Sequence, residues 1–201
     1  MKLLLASNSP RRRELLQNAG FDFEVIPSGV DEGAPLSNEP PEAYARRVAC
    51  DKALHVASSA TPGSLVLGAD TIVVVDDLIL GKPSTPSDAT RMLRLLSGRT
   101  HEVVTAICLV RPPDQLVAVK HEITSVTFRG LSEDEVRTYV ASDEPFDKAG
   151  AYAIQGLASK FVLRISGCYF NVVGLPVALL YGVLKEIEAG SKESGSRELN
   201  G

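Results

Sequence analysis

At 201 residues, 44% of them hydrophobic, the chain carries enough apolar material for the core of one domain. A formal charge of −4 argues against a nucleic-acid polymer as partner, because a phosphate backbone is matched by a broad cationic face. Three cysteines, Cys50, Cys108 and Cys168, lie far apart with no CxxC pair, which reads as free thiols in a reducing, cytoplasmic setting. The apolar run in MKLLLAS is too short for a secretion signal and no stretch is long enough to span a bilayer, so a soluble protein without a membrane partner is expected.

Taken in chain order, strands and helices alternate. Residues 2–6 (KLLLA) read as a buried strand; Ser9 as N-cap and Pro10 at the first helical position then open a helix to about Asn18, ended by Gly20. FDFEVIPS alternates as a second strand, and residues 41–57 (PEAYARRVACDKALHVA) form a helix. SLVLGAD and TIVVV are strand segments, the latter turned by DD into LILGKP. Thr85-Pro86 opens the helix SDATRMLRLLS, stopped by Gly98, and two long strands, 101–111 and 117–129, follow around the loop PPDQ. Ser132 to Glu135 is a capping box for EDEVRTYVAS, and LPVALLYGVLKEIEA is the last helix. The fold class expected is α/β, a single mixed-sheet domain flanked by helices over residues 1–189, with residues 190–201 a polar, Gly/Ser-rich disordered tail.

The sequence contains no GxxxxGK[ST], no GxGxxG and no H-E-x-x-H, and its three histidines lack metal-ligand spacing. Carboxylates, lysines and arginines are left to carry chemistry, and four stretches concentrate them. In ASNSPRRREL three arginines stand in the first turn of a helix, where the macrodipole is already positive. That turn is either a solvated basic face or an anion clamp in which free N–H groups, Ser7, Ser9 and guanidiniums act together. Lys52 falls within the apolar stripe Ala45, Val48, Ala49, Ala53, Val56, so it either snorkels to the edge or turns its ammonium into an anion-holding cleft. Asp70 ends a near-continuous apolar run, as a strand-end turn residue or as a buried, reactive carboxylate, and Lys82 follows twelve residues later. DKAGAYAIQG places an Asp-Lys pair and Gln155 among small residues bounded by glycines, a tight structural loop or a ligand loop.

LLLASNSPRRREL, VDE, ACDKA, GADTIVVVDDLILGKP, MLRLLSGRTHEVVTA, DKAGAYAIQG and NVVGLPV, in that order, resemble the motifs of the Maf family of nucleoside triphosphate pyrophosphatases over roughly residues 2–188. The resemblance implies an α/β fold similar to inosine triphosphatase, commonly a homodimer. It also implies hydrolysis of a nucleoside triphosphate to monophosphate and pyrophosphate with a divalent cation, Mg²⁺ foremost and Mn²⁺ or Co²⁺ as alternatives. By the same likeness Asp70 is the proton acceptor, and Arg11, Thr71 and Gln155 are linked to substrate choice. Ser7, Arg12, Glu32, Lys52 and Lys82 line the phosphate and metal site, with Glu32 and Asp70 toward the metal.

DKAGAYAIQG is similar to the branch acting on dTTP and UTP, and the Gln155 amide offers one donor and one acceptor to the O4 and N3–H edge of uracil or thymine, although the same amide can read adenine. A 7-methyl-GTP pyrophosphatase, or a nucleotide-binding regulator of septum formation with little turnover, is the alternative. Arg13 points about 100° away from Arg12 on the helix and is left out of the clamp. Both Arg12 and Lys52 are expected to face ligand rather than core. In SGCYFNVVG, Cys168 and Phe170 depart from the small or polar residues expected there, which bears on packing.

Overall fold

The apolar run SLVLGADTIVVV is one unbroken strand, β3 (Ser64–Val75), and the rest of the molecule is arranged around it. The computed structural model describes residues 2–198, with side chains described through Gly190. On one side β3 pairs in parallel with β1 (Lys2–Leu5), which in turn carries β2 (Phe23–Val25) in parallel. On its other side β3 runs antiparallel to β5 (Thr100–Arg111), followed by β6 (Gln115–Phe128) and β7 (Val162–Ser166). A short β4 (Leu78–Leu80) folds back on the end of β3, completing a seven-stranded mixed sheet in the order β2-β1-β3-β5-β6-β7. The expected mixed-sheet domain is therefore present.

Side chains alternate across a strand, so β3 feeds two cores at once. Leu65, Leu67, Ala69, Val73 and Val75 join one cluster with Leu15 and Leu16 of α1 (Pro10–Asn18) and Met92, Leu93 and Leu96 of α3 (Pro86–Leu96). The same cluster takes in Val136 and Tyr139 of α4 (Glu133–Val140) and Leu180 and Val183 of α6 (Val177–Glu198). Val66, Ile72 and Val74 face the other way, against Ala45, Val48, Ala49, Ala53 and Val56 of α2 (Pro41–Ala57). The small-residue stripe of α2 lets it lie close: a Cβ at Gly68 would stand 2.1 Å from the Ala49 carbonyl oxygen.

The caps fall where the residue types place them. Ser9 Oγ accepts from the Arg12 N–H at 3.4 Å, Thr85 Oγ1 from Asp88 N–H at 3.1 Å, and Ser132 and Glu135 form the reciprocal capping box. Three features differ from the sequence reading. β7 and the short helix α5 (Tyr169–Val173) occupy a stretch with no clear period, 162–173, where β7 is an edge strand with exposed Leu163. Three 3₁₀ turns, at Glu144–Asp147, Ala149–Ala151 and Leu157–Phe161, lie between α4 and β7. The last helix runs on through Glu198, past the Gly190 at which a polar tail was expected, and residues 199–201 lie outside the described residues.

One buried group makes the fold sensitive to acid. His101 on β5 is 2% exposed, meets Phe128 and Tyr152 edge-on, and shares a 2.9 Å hydrogen bond between Nε2 and Tyr152 Oη. Burial depresses its pKa from 6.5 to about 4. Between those values the unfolded chain binds the proton and the folded chain does not. The contribution is therefore complete above about pH 6.5 and is lost as pH falls toward 4, amounting to about 3 kcal/mol. Urea midpoints are expected to drop between pH 7 and pH 4.5, and the drop should be smaller in His101→Phe; an equal drop in both proteins would assign it to other groups.

Candidate active site

The site lies where β3 loses its neighbour. β1 pairs only with Ser64–Leu67 and then turns into α1, while β4 returns only at Val73–Val75. Residues 68–72 thus face a gap in the sheet, and Asp70 and Thr71, consecutive in the chain, point from that gap to opposite faces.

On the α2 face Asp70 is 4% exposed and meets Lys52, whose Nζ donates to Asp70 Oδ1 at 2.7 Å and to Glu32 Oε1 at 2.9 Å. Of the two readings open for Lys52, the structure takes the inward one. Its place in the helix stripe buries the stem, and the ammonium bridges two carboxylates instead of reaching solvent. Glu32 comes from the irregular stretch between β2 and α2, which Tyr44 anchors by donating from Oη to the Gly33 carbonyl at 3.0 Å and Arg47 anchors by a two-pronged bond to Glu39. Lys82, after β4, returns to the same edge and donates to Glu32 Oε1 at 3.3 Å. Partial burial raises the Glu32 pKa, but hydrogen bonds and charge from Lys52, with Lys82 behind it, outweigh burial and hold Glu32 below the usual carboxylate value.

On the opposite face Arg12 spans three elements. Nε donates to the Gly174 carbonyl at 2.9 Å, Nη1 to Ser7 Oγ at 3.2 Å and Nη2 to Thr71 Oγ1 at 3.1 Å. Burial lowers its pKa while Asp70 and Glu32 pull the other way, and a guanidinium remains charged throughout. Arg12, expected to face ligand rather than core, lines the cleft and in addition ties α1 to β3 and to the loop after α5. Thr71 Oγ1 also lies 3.0 Å from Thr105 Oγ1, and Thr105 donates to the Asn171 carbonyl. Arg11, one residue earlier, reaches across the mouth to Asp147 Oδ2 at 3.2 Å, while Arg13 is exposed.

These groups surround a cleft of about 570 Å³. Ser7, Arg11, Arg12, Glu32, Lys52, Asp70, Thr71, Lys82 and Gln155 all line it, although they come from six separate stretches of chain. Gln155 is exposed in a turn at the rim. Sequence reasoning missed Gly174 and Tyr152, which line the cleft, and Thr105 and Asn171, which brace it from behind; an Asn in the apolar run NVVGLPV, fully buried in the structure, was the available signal. Cys168 and Phe170 cause no crowding: the Cys168 N–H bonds Thr124 Oγ1 at 3.0 Å, and the Phe170 ring is 46% exposed. Among the described residues no group of three or more His, Cys, Asp or Glu could hold a metal by itself.

A cleft lined by five cations, Arg11, Arg12, Lys52, Lys82 and Lys148, opened by a helix N-terminus and floored by a lysine that bridges buried Asp70 to half-buried Glu32, defines a protein built for a small, multiply charged anion. The family model described as Maf-like protein matches residues 2–187, and the chain belongs to that family. It is 49% identical to the dTTP/UTP pyrophosphatase of Koribacter versatilis (strain Ellin345) over 92% of this chain and 94% of that one. It is 51% identical to the dTTP/UTP pyrophosphatase of Syntrophomonas wolfei subsp. wolfei (strain DSM 2245B / Goettingen) over 90% and 94%. In fold it is similar to the Ham1 protein of Staphylococcus aureus, with a TM-score of 0.50 at 16% identity over 92% of this chain and 99% of that one.

Proposed function

We propose that this protein hydrolyses dTTP and UTP to the nucleoside monophosphate and pyrophosphate. The observation that carries the reading is the Lys52 bridge between buried Asp70 and Glu32 at the gap in the sheet, within a chain about half identical to dTTP/UTP pyrophosphatases. The triphosphate lies against the first turn of α1, held by Arg11, Arg12 and Lys82, whose charge offsets the negative charge that grows on the leaving pyrophosphate. Water attacks the α-phosphorus and its proton passes to Asp70. With Oδ1 held by Lys52, the second carboxylate oxygen is the acceptor. Oxygen from water ends on the monophosphate, and the broken bond is the anhydride to the β-phosphate.

Asp70 and Glu32 would hold a divalent cation, because two carboxylates completed by phosphate oxygens and water are the usual arrangement for Mg²⁺. That ion supplies charge neutralisation at the phosphate oxygens, and manganese or cobalt would serve the same donor set. Free Cys50, Cys108 and Cys168 support a cytoplasmic setting, and no helix among the described residues is long and apolar enough to cross a membrane. A homodimer belongs to the same reading and is checked by sedimentation.

Gln155 at the rim is the base reader. UTP and dTTP present O4 and N3–H, whereas CTP presents an amino donor and a bare N3, so unpaired groups are expected to cost CTP about tenfold or more in kcat/KM. Gln155→Glu should erode that preference, since a carboxylate accepts from the cytosine amino group and cannot donate to O4. Values for UTP, dTTP, CTP and 7-methyl-GTP in both proteins test the assignment. Equal use of UTP and CTP by the unaltered protein, or preference for 7-methyl-GTP, would overturn it.

A further inference from the structure

Gln155 sits third in a four-residue turn, Ala153 to Gly156, closed by the Gly156 N–H donating to the Ala153 carbonyl at 3.1 Å. Such a turn at a cleft rim has little of its own to keep it still. Here both ends are held from outside the cleft by one pair of side chains. The Ala153 N–H donates to Tyr139 Oη at 3.3 Å, the Leu157 N–H donates to Glu144 Oε2 at 3.0 Å, and Tyr139 Oη donates to Glu144 Oε1 at 2.8 Å. The two amides flank Gln155 at two residues before and two after, so one phenol-carboxylate unit spans the reader.

The unit is rigid for identifiable reasons. Tyr139 is 2% exposed on α4, and its ring packs edge-on against Phe161. Burial, with Glu144 beside it, raises the phenol pKa and keeps its proton available to donate. The Glu144 carboxylate lies directly against the turn: a Cβ at Gly156 would stand 2.3 Å from Oε2 and 2.5 Å from Oε1. A side chain at 156 would push the Glu144 carboxylate from the turn, so glycine at this position permits the close approach without any special backbone angle. Neither Tyr139 nor Glu144 lines the cleft.

We propose that Tyr139 and Glu144 are positioning residues for base selection, fixing the turn so that the Gln155 amide meets the O4 and N3–H edge in one orientation. The proposal rests on the reading of Gln155 as the base reader. Tyr139→Phe keeps the ring in the core and removes the oxygen shared by Ala153 and Glu144. Glu144→Gln keeps the shape, but its single acceptor oxygen cannot serve both Tyr139 and Leu157.

The test is kcat and KM for UTP and CTP in the unaltered protein, Tyr139→Phe, Glu144→Gln and Gln155→Glu, with thermal melting of each. Both clamp variants are expected to remain folded and to lower the UTP:CTP ratio of kcat/KM from about tenfold toward unity. The loss should come mainly through a raised KM for UTP, with kcat retained, because the phosphate machinery is untouched. Glu144→Asp, which keeps both acceptor oxygens, should recover part of the ratio.

A ratio that falls in Gln155→Glu and stays unaltered in both clamp variants would overturn the proposal and leave the reader in place. Equal loss of kcat on UTP and CTP, tracking the melting temperature, would also overturn it, as a purely structural role. No UTP preference in the unaltered protein would overturn the reader and the clamp together.

Discussion

Asp70→Asn is expected to bind a non-hydrolysable UTP analogue about as well as the unaltered protein and to release pyrophosphate from UTP about 10² to 10⁴ times more slowly. The exchange keeps the volume and an oxygen that accepts from Lys52, so the gap in the sheet is not reshaped. What it removes is the basic carboxylate oxygen proposed to take the proton from attacking water. It also removes one of the two carboxylates offered to a divalent cation, so the binding measurement belongs in the presence and absence of Mg²⁺. Turnover near the unaltered rate would mean that another group accepts the proton.

Gly68→Ala is expected to destabilise the protein by about 3 to 5 kcal/mol, among the larger effects of a single methyl group. The added Cβ would stand 2.1 Å from the Ala49 carbonyl oxygen and 2.8 Å from the Ala53 amide nitrogen, both backbone atoms of α2. Neither can rotate away, so the helix must lift from the sheet and lose its close packing against Val66, Ile72 and Val74. Because Lys52 stands between Ala49 and Ala53, the same movement pulls its ammonium from Asp70, and activity should fall beyond the folded fraction lost. Urea midpoints, with activity per folded molecule, measure both effects; an unchanged midpoint would show that α2 shifts at little cost.

These two residues also show what could be read in advance. Asp70 was legible as a carboxylate after an uninterrupted apolar run, where burial demands a partner, and Lys52 as a cation within an apolar helix stripe. Their meeting was not legible, because it depends on Asp70 pointing to the α2 face and on the gap where β1 stops pairing after Leu67. Arg12 was legible as a cation in a first helical turn, but its bonds to Gly174 and Thr71 cross 162 and 59 residues of chain, a separation no local pattern records. β7 and α5 escaped because 162–173 has neither a twofold nor a 3.6-residue period; β7 exists by pairing with β6. The helix past Gly190 went against its polar, glycine-containing composition.

The central claim is that the cleft around Asp70 cuts UTP and dTTP between the α- and β-phosphates. Incubating the protein with UTP and Mg²⁺ and separating the products by ³¹P NMR tests it most directly, because each possible cleavage leaves a different pair of phosphorus signals. The expected result is UMP and pyrophosphate in equal amounts, with the same outcome for dTTP and about 10² to 10⁴ times less product per unit time from Asp70→Asn. UDP with orthophosphate, or no product beyond that of the Asp70→Asn protein, would contradict the account.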